Sequence, residues 1–198
     1  MKNLAPIDGE LCYIESFIPP SDTGPLFQQL VRTLAWNEEK IAIVGKKLKV
    51  PRLMCWYGDP EAIYTYSGAT HIPLPWIPVL TQLQVNIEHY LHKTFNSVLG
   101  NLYRDGQDSM GWHADNEKEL GRNPTIASLS LGEERLFKIR HRKTKETVDL
   151  HLKSGSLLIM SGELQHHWRH CIPKTRVNTE PRINLTFRKI LITQKLGS

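Results

Sequence analysis

This 198-residue chain has only three cysteines, and they are scattered. Cys12, Cys55 and Cys171 are odd in number and show no framework spacing, so disulfides do not hold the fold together. A reducing compartment is expected: cytoplasm, or the nucleus in a eukaryote. Long apolar runs are missing as well. None approaches the ~20 residues that span a bilayer, and the first residues carry no apolar signal-peptide stretch, so no membrane partner is expected. Internal repeats, low-complexity tracts and a linker long enough to separate two domains are all absent. The length suits one domain, and a monomer is expected. Hydrophobic residues at 40% and charged residues at 23% are ordinary for a globular chain.

The charge is less neutral. A net +5 permits a polyanionic partner without requiring one. Two clusters concentrate it: Lys46, Lys47, Lys49 and Arg52, then Lys138, Arg140, His141, Arg142, Lys143 and Lys145. Either cluster alone reads somewhat better as solvated surface, and the two beside a catalytic set read better as phosphate contacts.

Hydrophobic period divides the chain in two. Pro19-Pro20-Ser21-Asp22 reads as a helix entry, and Leu26, Phe27, Leu30, Val31 and Leu34 recur at helical spacing, predicting a helix to about Ala35. Residues 41–52 read as a hairpin with Gly45 at its tip. Leu74 to Pro78 opens a second helix, with Leu80, Leu83, Ile87 and Leu91 on its apolar face to about His92. From Ser97 onward the pattern is of short strands, near 97–104, 109–114, 125–131, 134–140, 146–152, 156–161, 166–171 and 182–190. Eight short strands suggest a double-sheet jelly roll, cupin-like and closed, with the two helices supporting one outer face. The fold class is thus α+β, mainly β.

Chemistry concentrates in that second half. In an extended strand, residues i and i+2 face one way, so His113 and Asp115 of Trp112-His113-Ala114-Asp115 can share a metal ion. Gln165-His166-His167-Trp168-Arg169-His170 offers further imidazoles; His166 and His170 share a strand face, and period alone cannot choose between them. Two histidines and a carboxylate form the facial triad of non-haem Fe(II) oxygenases. In the closing strand, Arg182, Asn184, Thr186 and Arg188 share one face while Ile183, Leu185 and Phe187 share the other, which reads as core. Two guanidiniums in a half-buried strand call for an anion, and their forks suit carboxylates. A metal triad beside a dicarboxylate site suggests 2-oxoglutarate.

His113-x-Asp115, His170 and Arg182-x-Asn184-Leu185-Thr186-Phe187-Arg188 resemble the AlkB family of Fe(II)/2-oxoglutarate-dependent nucleic-acid dealkylases. Asn101-Leu102-Tyr103, Ile126 to Ser130, Gly155 to Met160, Pro51-Arg52 and Tyr64 to Gly68 extend the likeness over roughly residues 43–190. The resemblance implies Fe(II) on His113, Asp115 and His170. It implies 2-oxoglutarate held by Asn101, Tyr103, Arg182, Asn184, Thr186 and Arg188, with O2 as cosubstrate. It also implies a double-stranded β-helix core at 96–198, with helices and a nucleotide-recognition lid at 1–95. In such a lid Val44, beside Gly45, acts as a wedge in the base stack, Lys46, Lys47 and Lys49 meet phosphates, and Tyr64 and Tyr66 read the extracted base. The chain departs from the family after Asp115. Many relatives have an acidic residue there; here Asn116 is followed by Glu117, leaving Asn116 to bond the base's exocyclic amine and Glu117 to supply the charge.

The expected reaction is oxidative dealkylation of N-alkylated bases of the 1-methyladenine and 3-methylcytosine type. It yields succinate, CO2 and an aldehyde. DNA is the expected partner, with RNA as the alternative. Competing readings keep the iron but act on RNA for modification or on a protein side chain, or drop catalysis for a cupin-like binding module.

Overall fold

The structure is a computed structural model describing residues 1–43, 46–66 and 69–191, with side chains described except at 40–48 and 64–71. The first half comprises β1 (Glu10–Ile14), α1 (Pro20–Thr33), β2 (Asn37–Ile43), β3 (Lys46–Gly58), β4 (Tyr64–Tyr66), β5 (Ala69–His71) and α2 (Pro78–Leu91). The second comprises β6 (Ser97–Tyr103), β7 (Met110–His113), β8 (Ile126–Gly132), β9 (Arg135–His141), β10 (Thr147–Leu152), β11 (Leu157–Ser161), α3 (Leu164–His167), β12 (Trp168–Ile172) and β13 (Arg182–Arg188). A 3-10 turn, Lys118–Leu120, lies between β7 and β8.

Two antiparallel sheets make the core. The larger has the order β1-β11-β8-β13-β6-β3-β2 and the smaller β10-β9-β12-β7; β4 and β5 form a separate hairpin. β13 is central, with Asn184 opposite Asn101 on one side and Ser130 on the other. Its alternation decides the layering. Ile183, Leu185 and Phe187 join the cluster formed with Leu30 of α1, Leu34 just after it, and Leu80, Leu83 and Ile87 of α2. Both helices therefore cover the outside of the large sheet. A second cluster, including Tyr103, Ile126, Phe137, Ile139, Leu158 and Ile172, draws on strands of both sheets. No helix among the described residues is long and apolar enough to cross a membrane.

Local chemistry sets the boundaries. Both helices take proline in the first turn, where no amide partner is lost, and α2 ends at His92 in the left-handed region (φ 51°). Gly132 closes β8 at φ 86°, and a Cβ there would meet the Pro181 carbonyl oxygen at 2.4 Å, so only glycine fits this turn.

Two expectations change, the make-up of residues 1–95 and the strand at 166–171. The first 20 residues contain a strand, β1, which pairs along β11; only Leu11 in it is fully buried, so no alternation showed in the sequence. Residues 54–58 belong to β3, which runs beside β6 in the large sheet. Residues 1–95 therefore contribute β1, β2 and β3 to the main sheet as well as the helices. Finally, 166–167 are not extended: α3 occupies that stretch and β12 begins at Trp168.

Phe187 is 0% exposed and meets Phe95 edge-on at 6.3 Å. Phe187→Ala should lower unfolding free energy by about 3–5 kcal/mol, read from the shifted midpoint of a urea titration.

Candidate active site

His113, Asp115 and His170 converge: each offers a ligand atom, all within 4.8 Å of one another. β7 and β12 pair with His113 directly opposite His170. The next paired residues are Met110 and Ile172, so two residues on β7, Gly111 and Trp112, face one on β12. This bulge lets Met110 and His113 both line the same cavity although three positions separate them. β7 ends at His113, so Asp115 lies beyond the strand and not at its next inward position. Asp115 is instead held by contacts: its amide donates to Gln165 Oε1 at 2.9 Å, and its Oδ2 accepts from Arg188 Nη2 at 2.9 Å.

Each imidazole is also oriented. His113 Nδ1 lies 2.9 Å from the Gly111 carbonyl oxygen, which makes it the protonated nitrogen and leaves Nε2, 3.7 Å from Asp115 Oδ1, to face the centre. His170 stacks on Phe137 at 5.3 Å and meets the His113 ring at 4.1 Å. Burial pulls the His170 pKa down to about 3, aided by His113 and Arg188 against Asp115, so its ring is neutral at physiological pH. Burial alone would raise the Asp115 carboxyl; Arg188, then His113 and His170, outweigh it and hold the group far below the ordinary carboxylate range. An ionised carboxylate and a neutral imidazole are the forms that ligate a metal.

His166 and His167 stand elsewhere. The α3 turn carries His166 to the Arg122 carbonyl and to Asn123 Oδ1. His167 lies near Glu163 and, with Asp8 and His141, forms a second cluster of possible ligands among the described residues. There the Thr144 amide donates to His141 Nδ1 at 3.0 Å, which fixes the ring proton on Nε2, the atom 3.2 Å from Asp8. That ring has no lone pair to offer its neighbours.

The wall beside the triad is basic. Arg182 is 1% exposed and bonds Ser130 Oγ through Nη2 at 2.9 Å, while its Nε and Nη1 are buried without hydrogen-bond partners. Burial draws its pKa down to about 10, and the Tyr103 ring lies 5.2 Å away. A buried cation with two open donors is completed by a carboxylate, so the residues fit a dicarboxylate cosubstrate beside a metal. Asn101 accepts from Arg52 Nε at 2.6 Å, which leaves its own amide nitrogen as the free end. Asn184 and Thr186 line the cavity but bond to each other at 2.9 Å, and the Asn184 amide also donates to Ser128 Oγ at 2.7 Å. They brace the wall more than they offer donors to a ligand.

The nucleotide-recognition candidates are less gathered. Val44 and Gly45 lie outside the described residues, as do the side chains of Lys46, Lys47, Tyr64 and Tyr66; the backbone pairs Ile43 with Lys46 and Tyr64 with His71. Lys49 pairs with Glu38 at 2.7 Å and Lys138 with Asp149 at 2.7 Å, so neither is an uncommitted cation. His141 is buried and leaves the basic surface group altogether. Arg52 is buried too, bonding Asn101 rather than facing solvent. Asn116 is exposed, and Glu117 is half-buried with Oε2 enclosed and unbonded. Sequence reasoning passed over Gln165, Phe137, Ser128 and Ser130. The two serines stand at period two and could have been read as facing one way; Gln165 gave no signal.

An open three-point metal site walled by buried guanidiniums is the arrangement of an iron and 2-oxoacid-dependent oxygenase. The chain belongs to the 2OG-Fe(II) oxygenase superfamily, whose family model matches residues 10–188, and within it to the AlkB family. Its cofactor is Fe(II), with 2-oxoglutarate and O2 as cosubstrates. It is 44% identical over 199 residues to the mouse (Mus musculus) DNA oxidative demethylase ALKBH2, with 95% of this chain and 83% of that protein covered. It is 41% identical over 190 residues to the cattle (Bos taurus) alpha-ketoglutarate-dependent dioxygenase alkB homolog 3, covering 91% of this chain and 66% of that protein. It therefore spans about two thirds of the latter's length. The solved structure of OsALKBH1 shares the fold at a TM-score of 0.63 and 17% identity, covering 90% of this chain and 97% of that one.

Iron stoichiometry separates the histidines. His170→Ala should lose most bound iron, and His166→Ala should keep the wild-type content by metal analysis after anaerobic loading. Full iron in His170→Ala would reassign the ligand.

Proposed function

We propose that this enzyme removes N-alkyl groups oxidatively from bases of DNA, with RNA as the alternative polymer. The convergence of His113, Asp115 and His170 beside Arg182's open donors carries the chemistry. The names of the relatives and the net charge of +5 support the substrate. Fe(II), 2-oxoglutarate and O2, when bound, supply the oxidation: 2-oxoglutarate leaves as succinate and CO2, and the N-alkyl carbon gains a hydroxyl and departs as an aldehyde.

The chain's own residues bind and orient. His113, Asp115 and His170 would hold the metal and would leave its remaining positions to cosubstrates. Arg182 takes the far carboxylate of 2-oxoglutarate, with Tyr103 and the Asn101 amide beside it. Arg188 pairs with Asp115 and adds positive charge at the near end, while Asn184 and Thr186 keep that wall in shape. Glu117 and Asn116 face the base: the first offsets the charge of an N-alkylated adenine or cytosine, the second bonds its exocyclic amine. Tyr64 and Tyr66 stack on the base, Val44 beside Gly45 fills the gap it leaves, and Lys46 meets phosphate. Extraction costs least from single strands or weakened pairs. The protein works as one domain and as a monomer. Three free cysteines suit a reducing compartment, cytoplasmic or nuclear.

Mass spectrometry of oligonucleotides carrying 1-methyladenine or 3-methylcytosine, as single- and double-stranded DNA and RNA, tests this reading. Incubation with Fe(II), 2-oxoglutarate and air should remove the methyl group from at least one DNA form. Succinate formation with every oligonucleotide unchanged would overturn the nucleic-acid substrate, and activity on single strands alone would overturn Val44 as a wedge.

A further inference from the structure

We propose that Gln165 is a positioning residue for the metal centre, acting through the backbone of Asp115. The inference rests on the reading of His113, Asp115 and His170 as metal ligands.

The need arises from where β7 stops. His113 is fixed by strand pairing, but residues 114–117 belong to no helix or strand. Asp115 is 4% exposed, so its amide cannot turn to water for a partner. Among the described residues that partner is the Gln165 side-chain oxygen, 2.9 Å away and 50 positions on in sequence. Gln165 is itself 1% exposed, and its amide nitrogen rests 3.6 Å from Met160 Sδ. A side chain buried that fully has little freedom to release its acceptor.

Two contacts thus define how Asp115 sits. Arg188 engages Oδ2 of the side chain, and Gln165 engages the main chain behind it. Together they leave Oδ1, the atom nearer His113, directed at the common centre. Gln165 also stands in α3, five residues before His170, so one short segment fixes the carboxylate through a side chain and the distal histidine through the strand it leads into.

That segment is itself held. A Cβ on Gly9 would lie 2.6 Å from Leu164 Cα, so the N-terminal backbone sits directly on α3. Trp168 Nε1 donates to the Ile7 carbonyl oxygen at 3.1 Å just after it. The reference point for Asp115 is therefore rigid, while the loop that carries Asp115 has no strand of its own. Partners behind a metal ligand typically govern affinity by about 10–100-fold.

Mn(II) titration of the metal-free protein with saturating 2-oxoglutarate, followed by the EPR signal of free Mn(II), reads this without turnover. Gln165→Met removes the acceptor at similar volume and should weaken Mn(II) binding about 10–100-fold. Gln165→Glu keeps an acceptor oxygen in either protonation state and should bind close to wild type, so its contrast with the similar-volume Gln165→Met separates the acceptor from packing. Gln165→Asn, which withdraws the oxygen by one methylene, serves if the methionine variant melts early, and should also bind weakly. A folded Gln165→Met or Gln165→Asn protein that binds Mn(II) as tightly as wild type overturns the inference and leaves the ligand assignment standing. Equal binding by wild type and Asp115→Ala overturns the ligand assignment, and this inference with it.

Discussion

The buried contact between Arg188 and Asp115 ties the two halves of the site together. Arg188 is the last residue of the central strand, and Asp115 lies in a loop beyond the edge strand of the opposite sheet. At 2.9 Å, with both side chains almost wholly enclosed, neither charge is tolerable without the other. The pair joins the strand that builds the guanidinium wall to the loop that carries a metal ligand. Its survival requires both sheets in their observed register.

Electrostatics follow from that placement. Arg182 and Arg188 line the cavity, and Asp115 is its ionised carboxylate wall residue. His170 is kept neutral by burial, so it adds a lone pair and not another positive charge. The cavity therefore favours an anion before any metal enters. A ligand with two negative ends, one near Arg182 and one near the triad, balances a lining that would otherwise be costly to bury.

Much of this was readable in the residues. The alternation of 182–188 separates wall from core because a strand has only two faces, and every second residue there is either charged, polar or plainly apolar. The eight strands of the second half were legible for the same reason. The first 20 residues were not, because β1 is an edge strand with a single fully buried side chain. The choice among His166, His167 and His170 was hidden by α3, a turn too short to have a period. Placing Arg52 in a basic cluster failed because a guanidinium within a long strand can be enclosed by its neighbours, here Asn101 and the Ser109 carbonyl. Asp115 was placed correctly in composition but through the wrong geometry: contacts with Gln165 and Arg188, and not strand alternation, bring it to the centre.

Among the described residues β7 lies at the border of the smaller sheet, with β12 as its single neighbour. His113 keeps 22% of its side chain open there, and none of the three ligands belongs to an apolar core cluster. The apolar core is closed by side chains other than these three, so an ion could come and go at the His113 side without taking that core apart.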